Sequence, residues 1–232
     1  MSIHFEQQDI VVPGQLLAEG DFRSAEGTYK EKDKVFASVI GVAKIKGNII
    51  SVVALQGRYV PKSRDIVIGK VSEITMNGWL VDINSPYPAV LSVMHALSRR
   101  DAMQAKDNLR QFYDIGDSVV AEIVAADRTR DPLITTQGRG LGKIHGGVLI
   151  EIIATRVPRL IGRNGSMINM IKSELKCDMV VGQNGVVWLK GDPGHVVIAI
   201  EAIRQIEREA HTSGLTDRIR EVITLKLADT KR

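Results

Sequence analysis

The fold of the C-terminal part of the chain is decided by the stretch Ile161-Gly162-Arg163-Asn164-Gly165-Ser166-Met167-Ile168. Residues 157–160 before it suit a short helix, and a second helix is predicted to continue to about Lys176. Glycine has no Cβ atom, so Gly162 and Gly165 allow a tight turn that other residues would disfavour. The second helix begins at this turn, so its free N–H groups and positive dipole end would favour an anion there. The stretch therefore predicts two helices joined by a tight turn.

The segments on both sides of this turn complete a small α+β domain. Residues 147–154 predict a buried strand, and two further strands, 179–181 and 186–189, meet at the strong hairpin signal Asn184-Gly185. Pro193-Gly194 then begins a long amphipathic helix whose apolar residues recur at helical spacing, namely Val197, Ile200, Ile203 and Ile206. The predicted order is strand, helix, helix, strand, strand, helix.

This order, together with the pattern Ile-Gly-x-x-Gly-x-x-Ile, resembles a type I KH domain over about sixty residues. The resemblance implies that the loop contacts RNA through Gly162, Arg163, Asn164 and Gly165, with Arg163 supplying a positive charge. Two alternatives stay open. The pattern also suits a tight turn between two helices, and Asn164 could hydrogen-bond to a neighbouring domain instead of RNA.

Before residue 138, short runs rich in β-branched residues alternate with turn residues. Strands are predicted at residues 35–40, 49–54, 66–71, 79–83 and 118–124. One helix is predicted over residues 98–112, with Met103, Leu109 and Phe112 at helical spacing. The N-terminal part is therefore expected to be mostly β.

Residues 65–136 resemble an S1 RNA-binding domain, most clearly in the segments Gly78-Trp79-Leu80-Val81 and Gly116-Asp117-Ser118-Val119. The resemblance implies an OB-type barrel of five strands with a face that stacks bases. The segment Ala89-Val90-Leu91-Ser92 departs from the Gly-Leu-x-His of the family.

Trp79 stands where the S1 family has an aromatic residue beside its binding face, which makes Trp79 a candidate for RNA stacking. A tryptophan buried in the barrel would give the same pattern, so both interpretations stay open. Tyr87 and His95 are further candidates for stacking.

The positive charge is concentrated in the C-terminal part of this chain of 232 residues with net charge +4. Residues 143–232 hold fourteen Lys or Arg against ten Asp or Glu, whereas residues 66–137 hold seven against nine. Because nonspecific affinity for nucleic acid comes mostly from neutralised phosphates, RNA contacts of the middle region must be local.

We expect a multidomain protein that is mostly β with an α/β C-terminus. The predicted parts are a β-rich docking domain (1–64), an OB-type S1 barrel (65–137), a Gly-rich linker (138–146) and an α+β type I KH domain with a helical extension (147–232).

The order of these parts is similar to the non-catalytic RNA-binding cap subunit of the archaeal exosome, in its S1/KH version. Support comes from Val11-Val12-Pro13-Gly14, Asp82-Ile83-Asn84-Ser85 and Gly140-Leu141-Gly142-Lys143-Ile144-His145-Gly146-Gly147. The resemblance implies three copies on a hexameric ring of RNase PH-like subunits, with single-stranded RNA threaded through a central pore. It also implies that a Gly-x-Asn-Gly loop of the KH domain packs against other domains.

Basic residues near the barrel are candidates for lining such a pore, because three-fold assembly would repeat them around one opening. They are Arg99, Arg100, Arg128 and Arg130, together with Lys44, Lys46, Arg58, Lys62 and Arg64. An ordinary solvated surface is the alternative.

The sequence offers no pattern typical of catalysis. The five histidines are dispersed, none has a Glu or Cys at metal-ligand spacing, and the single cysteine, Cys177, is expected to be a small buried residue. We therefore expect that the protein is not an enzyme and binds neither a cofactor nor a metal ion. No apolar run is long enough for a membrane span, which favours a cytoplasmic protein.

Two other classes of protein combine S1 and KH domains. A ribonuclease would need a phosphorolytic domain, for which the residues before position 65 are too few. A transcription or translation factor that binds single-stranded RNA is the remaining alternative.

Overall fold

The computed structural model describes residues 2–6, 9–55, 57–98, 101–102, 108–127, 129–210, 212 and 214–230. The chain divides into two compact units, Met1–Gly57 and Arg58–Arg232. Within the described ranges, none of the helices combines the length and the apolar character that crossing a membrane requires.

The first unit is built from two four-stranded sheets around one core. Its strands are β1 (Ser2–Ile3), β2 (Ile10–Val11), β3 (Leu16–Glu19), β4 (Arg23–Ser24), β5 (Thr28–Glu31), β6 (Lys34–Ala37), β7 (Gly41–Lys46) and β8 (Ile49–Ala54). The sheets have the orders β1-β3-β6-β5 and β2-β7-β8-β4. Alternate residues point into the core, so Ile50 and Val52 of β8 are buried while Val53 is exposed.

The second unit begins with a closed barrel. Its elements are β9 (Ile66–Thr75), β10 (Gly78–Asp82), β11 (Ala89–Ser92), the short helix α1 (Val93–Ala96), a 3₁₀ turn (Leu109–Gln111), β12 (Ser118–Ala125) and β13 (Leu133–Thr135). The strands follow the order β13-β11-β10-β9-β12, and β12 also pairs with β13, which closes the barrel. The predicted five-stranded OB-type barrel is confirmed.

The helix predicted over residues 98–112 begins as expected, since the amide of Ala102 donates to the carbonyl of Ser98 at 2.8 Å, but its extension to Phe112 is wrong. Asn108 has φ −153° and ψ 88°, which is not helical, and only a 3₁₀ turn follows it. Asparagine competes with the helical backbone through its own side chain, and Leu109 and Phe112 pack against the barrel core instead of continuing a helix. Met103 lies outside the described residues.

The predicted KH order is confirmed in the rest of the unit, but its first strand, predicted to be buried, lies at the sheet edge with Val148 and Leu149 exposed. After β14 (Gly142–Lys143) come β15 (Val148–Glu151), α2 (Val157–Ile161), α3 (Ser166–Leu175), β16 (Asp178–Val181), β17 (Val186–Lys190), α4 (Pro193–Arg208) and α5 (Leu215–Thr230). The sheet has the antiparallel order β15-β17-β16. The helices bury one apolar core against this sheet, and α5 contributes Leu215, Ile219 and Ile223 to it.

The core of the KH domain includes Cys177 and one face of α4. Cys177 is buried as expected, and burial raises the pKa of its thiol. Val197 was expected on the buried face of α4, but its side chain is 55% exposed. Ile203 and Ile206 are buried and Ile200 packs against the core as predicted, while Val196 takes the buried position beside Val197.

The glycine-rich segment between barrel and KH domain is held on both sides. On the barrel side, β14 pairs with β12, the amide of Ile144 donates to the carbonyl of Ser118 at 2.8 Å, and Lys143 forms an ion pair with Asp117. On the KH side, Nε1 of Trp188 donates to the carbonyl of Gly146 at 2.7 Å. The segment therefore acts as a fixed connection between the two domains.

The hairpin turn between β16 and β17 joins the two domains more directly. Asn184 in this turn is fully buried, and its Oδ1 accepts from the amide of Ile68 at 3.2 Å. Its Nδ2 donates to the carbonyls of Ile68 (2.7 Å) and Ile83 (2.9 Å), while the amide of Gln183 donates to Ile66 at 2.7 Å. The turn thus bonds to β9 and to the end of β10, and the barrel and the KH domain form one body.

We predict that Asn184→Ala lowers the free energy of unfolding by about 3–5 kcal/mol, because it leaves three buried backbone groups of the barrel without partners. Asn164→Ala is the matched control, since Asn164 occupies the same position of the exposed Gly-x-Asn-Gly loop. It should lower the free energy of unfolding by at most about 1 kcal/mol, because alanine tolerates the left-handed backbone at this position less well than asparagine. Denaturant unfolding measures both values. Equal losses in the two variants would contradict the importance of the Asn184 contacts.

Candidate nucleic-acid interface

The Gly-x-x-Gly loop joins α2 to α3 through a backbone that few residue types tolerate. Gly162 has φ 76° and ψ 177°, Gly165 has φ 76° and ψ 13°, and Asn164 has φ 53° and ψ 32°. Glycine adopts positive φ without strain and asparagine tolerates it better than most residues. The sequence of the loop therefore matches its backbone at all three positions.

Packing inside the protein explains Gly162, and the positive φ of the backbone explains Gly165. A Cβ atom at Gly162 would lie 2.8 Å from the amide nitrogen of Met167, which is tighter than real contacts allow, and one at Gly165 would lie 3.3 Å from Nδ2 of Asn169. The interpretation as a tight turn between helices is thus sufficient for the glycines. Contact of the loop with RNA is a separate question, and it rests on the exposure of Arg163 and Asn164.

Within the second unit, Asn164 does not form the bond to the barrel that one alternative predicted. The Asn164 side chain is exposed, and the asparagine that reaches the barrel is Asn184. The chain contains the Gly-x-Asn-Gly pattern twice, at Gly162-Arg163-Asn164-Gly165 and at Gly182-Gln183-Asn184-Gly185. The second copy forms the domain contact, which leaves the first copy open to solvent.

The interpretation of Trp79 as a stacking platform is also wrong, and the core alternative is confirmed. Trp79 is fully buried, its Nε1 donates to the carbonyl of Tyr113 at 2.9 Å, and the two rings meet edge to face with centroids 5.2 Å apart. Gly78 lets the neighbouring strand approach, since a Cβ there would overlap the backbone of Leu91. A base cannot reach this ring in the folded barrel.

The outer face of the barrel at this place consists of aliphatic side chains. The register pairs Leu80 with Val90 and Val90 with Leu133, and all three are partly buried. These residues alternate with the inward-facing Trp79 and Leu91, so a shift of one position exchanges the two faces. Side chains of a strand alternate between its two faces, so the large apolar residues Trp79 and Val81 on one face could have indicated in the sequence that Leu80 points outward.

The two other candidates for stacking differ in solvent exposure and in their hydrogen bonds. Tyr87 is 63% exposed. His95 is partly buried, its Nδ1 lies 2.8 Å from the hydroxyl of Ser92, and its carbonyl accepts from the hydroxyl of Thr135. Tyr87 is therefore the exposed aromatic ring that the second unit offers in this region of the barrel.

The basic residues predicted near a pore are only partly described. Arg130 is exposed beside a turn in which a carboxylate oxygen of Asp127 accepts from the amide and the hydroxyl of Thr129, both at 2.7 Å. Both hydrogen bonds lower the pKa of Asp127, and the bond from the Thr129 hydroxyl has the larger effect. Arg99, Arg100 and Arg128 lie outside the described residues, Arg58, Lys62 and Arg64 are exposed in the second unit, and Lys44 and Lys46 are exposed in the first.

Within the described part of the chain, no group of three or more His, Cys, Asp and Glu side chains could hold a metal ion.

Comparison with known proteins shows which family has these domains in this order. Three family models match in order: the exosome RNA binding protein RRP4 N-terminal domain over residues 8–56, the RRP4 S1 domain over 58–125 and a KH domain over 147–195. The exosome complex component Rrp4 of Methanothermus fervidus is 44% identical over 218 residues, which cover 94% of this chain and 96% of that protein. The chain belongs to the Rrp4 family. The exosome complex component Rrp4 of Pyrococcus furiosus is 41% identical over 232 residues, which cover 99% of this chain and 88% of that protein.

A crystal structure of an exosome complex RNA-binding protein supports the same assignment. It is 39% identical, has a TM-score of 0.66, and the match covers 75% of this chain and 99% of that one. The Rrp4 family combines S1 and KH RNA-binding domains and is not a catalytic family.

Proposed function

We propose that the chain is the non-catalytic RNA-binding cap subunit of an exosome, which captures single-stranded RNA and passes it to degrading subunits. In this proposal residues 1–64 dock on the complex, residues 65–137 and 147–232 contact RNA, and residues 138–146 connect these parts. The proposal is carried by one observation above all: an Rrp4 N-terminal module precedes an S1 barrel and a KH domain that are bonded into one body with an open Gly-x-x-Gly loop.

The partner that we propose is a hexameric ring of RNase PH-like subunits, carrying three copies of this chain. The relatives of the chain are named exosome complex components, which supports partner subunits in general. A chain without a catalytic domain needs such partners to take part in the 3′–5′ degradation and processing of RNA. The cytoplasm is the compartment that we propose for this complex.

An apolar row on the first unit supports docking. On the sheet β2-β7-β8-β4, the register aligns Ile10 with Val42 and Val42 with Val53, and these side chains point away from the core. Ile10 is 65% and Val53 48% exposed. Antiparallel sheets normally turn a polar face to water, and contiguous exposed apolar side chains mark protein interfaces.

We predict that Val53→Asp abolishes or strongly weakens association with the ring, because the new carboxylate would be buried without a partner. Ser38→Asp adds the same charge at another exposed position of this unit and should leave association intact. Gel filtration of mixtures with purified ring measures both variants. Normal assembly by Val53→Asp, with its fold intact by circular dichroism, would exclude this face as the docking surface.

The RNA-binding part of the proposal depends on repetition. One chain has an excess of only four positive charges in its C-terminal part, so its own attraction for RNA is shallow and sensitive to salt. Three copies around one opening would repeat every basic group, and tethered weak sites multiply the effective concentration of the strand. We propose Arg130, with Arg99, Arg100 and Arg128, as the barrel residues of this opening, beside the loop residues Gly162, Arg163, Asn164 and Gly165.

We predict that the double variant Arg128→Glu, Arg130→Glu weakens capture of single-stranded RNA by the assembled complex far more than by the free chain. The reason is that each substitution is repeated in every copy around the opening. Fluorescence anisotropy with a labelled oligonucleotide measures both affinities. Equal losses in complex and free chain, or no loss in either, would show that these arginines do not line the path of the RNA.

A further inference from the structure

A basic concavity lies at the end of the KH domain where α3 stops and β16 starts. It has a volume of about 630 Å³, and its charged lining residues are Lys172, Lys176, Lys190 and Asp178. Three lysines and one aspartate therefore supply the charged residues of this surface. We call this surface, defined by its three lysines, the lysine concavity.

The lysine concavity is continuous with the Gly-x-x-Gly loop. Asn169 lines it, and the side-chain amide of Asn169 also lies 3.3 Å from the position of a Cβ at Gly165. Asn169, Lys172 and Lys176 follow one another at helical spacing on the side of α3 opposite its buried residues. A helix rises 1.5 Å per residue, so this polar stripe leads from the loop to Lys176 over about 16 Å.

Lys176 adopts a backbone that lysine disfavours. It follows the last residue of α3 with φ 46° and ψ 44°, the left-handed conformation in which glycine usually ends a helix. A side chain with a Cβ is strained there, and such strain is concentrated at functional sites. The position thus carries a lysine where glycine would suit the fold better.

A purely structural role explains only part of this arrangement. Lysines in the last turn stabilise the negative end of a helix dipole, which suits Lys172 and Lys176. Lys190 lies at the end of a strand, opposite Asp178 in the ladder, and offsets no helix dipole. Its Nζ donates to the carbonyl of His145 at 3.3 Å, and an ammonium group has further protons for another acceptor.

We propose that the lysine concavity binds backbone phosphates of single-stranded RNA that continues past the Gly-x-x-Gly loop, an inference that rests on the proposed binding of RNA by this loop. The loop of a KH domain holds four nucleotides, and the polar stripe on α3 extends the contact to further phosphates. Lysine neutralises phosphates without reading bases, so the added affinity is independent of sequence and depends on salt.

The first test uses the full chain with Lys176→Gly, for which fold and binding should change in opposite directions. Relief of the left-handed strain should raise the Tm by about 2–4 °C. Loss of one phosphate contact should lower the slope of log affinity against log salt by about 0.7 for an oligonucleotide about ten nucleotides long. A merely structural lysine would change the Tm alone.

Lys32→Gly is the matched control, because Lys32 has φ 52° and lies in the first unit. It should raise the Tm in the same way and leave the salt slope unchanged. An unchanged slope in Lys176→Gly overturns the proposal. A lower Tm of Lys176→Gly also overturns it, because Lys176 would then be required by the fold.

The second test separates the concavity from the loop. The double variant Lys176→Glu, Lys190→Glu should weaken binding of the longer oligonucleotide and spare one of four nucleotides, the length that the loop holds. Equal weakening of both overturns the proposal, since the lysines would then belong to the loop site. Arg163→Glu should weaken binding of both lengths, and if it weakens neither, the proposed function of the loop fails instead.

The same double variant distinguishes RNA from an acidic protein partner. Polyglutamate should compete with the longer oligonucleotide far less well than unlabelled RNA of matched charge. If polyglutamate competes equally in the native chain and loses this ability in the double variant, the lysine concavity is a site for an acidic protein segment and the proposal is overturned.

Discussion

The buried side-chain amide of Asn184 is the contact on which the arrangement of the barrel and the KH domain depends. An amide removed from water is tolerated only where its hydrogen bonds are replaced, and each group left without a partner costs about 1–3 kcal/mol. Asn184 meets both backbone groups of Ile68 and the carbonyl of Ile83. The hairpin turn therefore fits the barrel in one register, and the two RNA-binding domains are held as one body.

This contact also decides which surfaces are left for RNA. The tip of the β16–β17 hairpin is occupied by β9, whereas the Gly-x-x-Gly loop and the polar side of α3 stay exposed. The outer barrel face around Leu80 and Val90 is aliphatic, and the region around it carries more acidic than basic residues. The distribution of charge therefore favours the KH domain for phosphate contacts. Because the barrel region has no excess of positive charge, its contribution to RNA binding depends on several copies of the chain acting together.

Local patterns in the sequence predicted most of the fold, because strands and helices are set by periodicity and turns by glycine and asparagine. The same patterns failed where a tertiary partner decides. Trp79 and Leu80 are both apolar, so only the closed barrel shows which of them is inside. Two Gly-x-Asn-Gly segments look alike in sequence, and only Ile68, 116 residues before Asn184, distinguishes the buried copy from the exposed one.

Native-state hydrogen exchange at the amides of Ile68 and Gln183 tests the single-body account most directly, since both amides donate across the contact between the domains. If barrel and KH domain unfold together, both amides exchange only through global opening, with the same free energy as the core amides of Ile123 and Val187. Exchange of Ile68 and Gln183 at a clearly lower free energy, while the two cores stay protected, would show that the domains separate in the native state and would contradict the account.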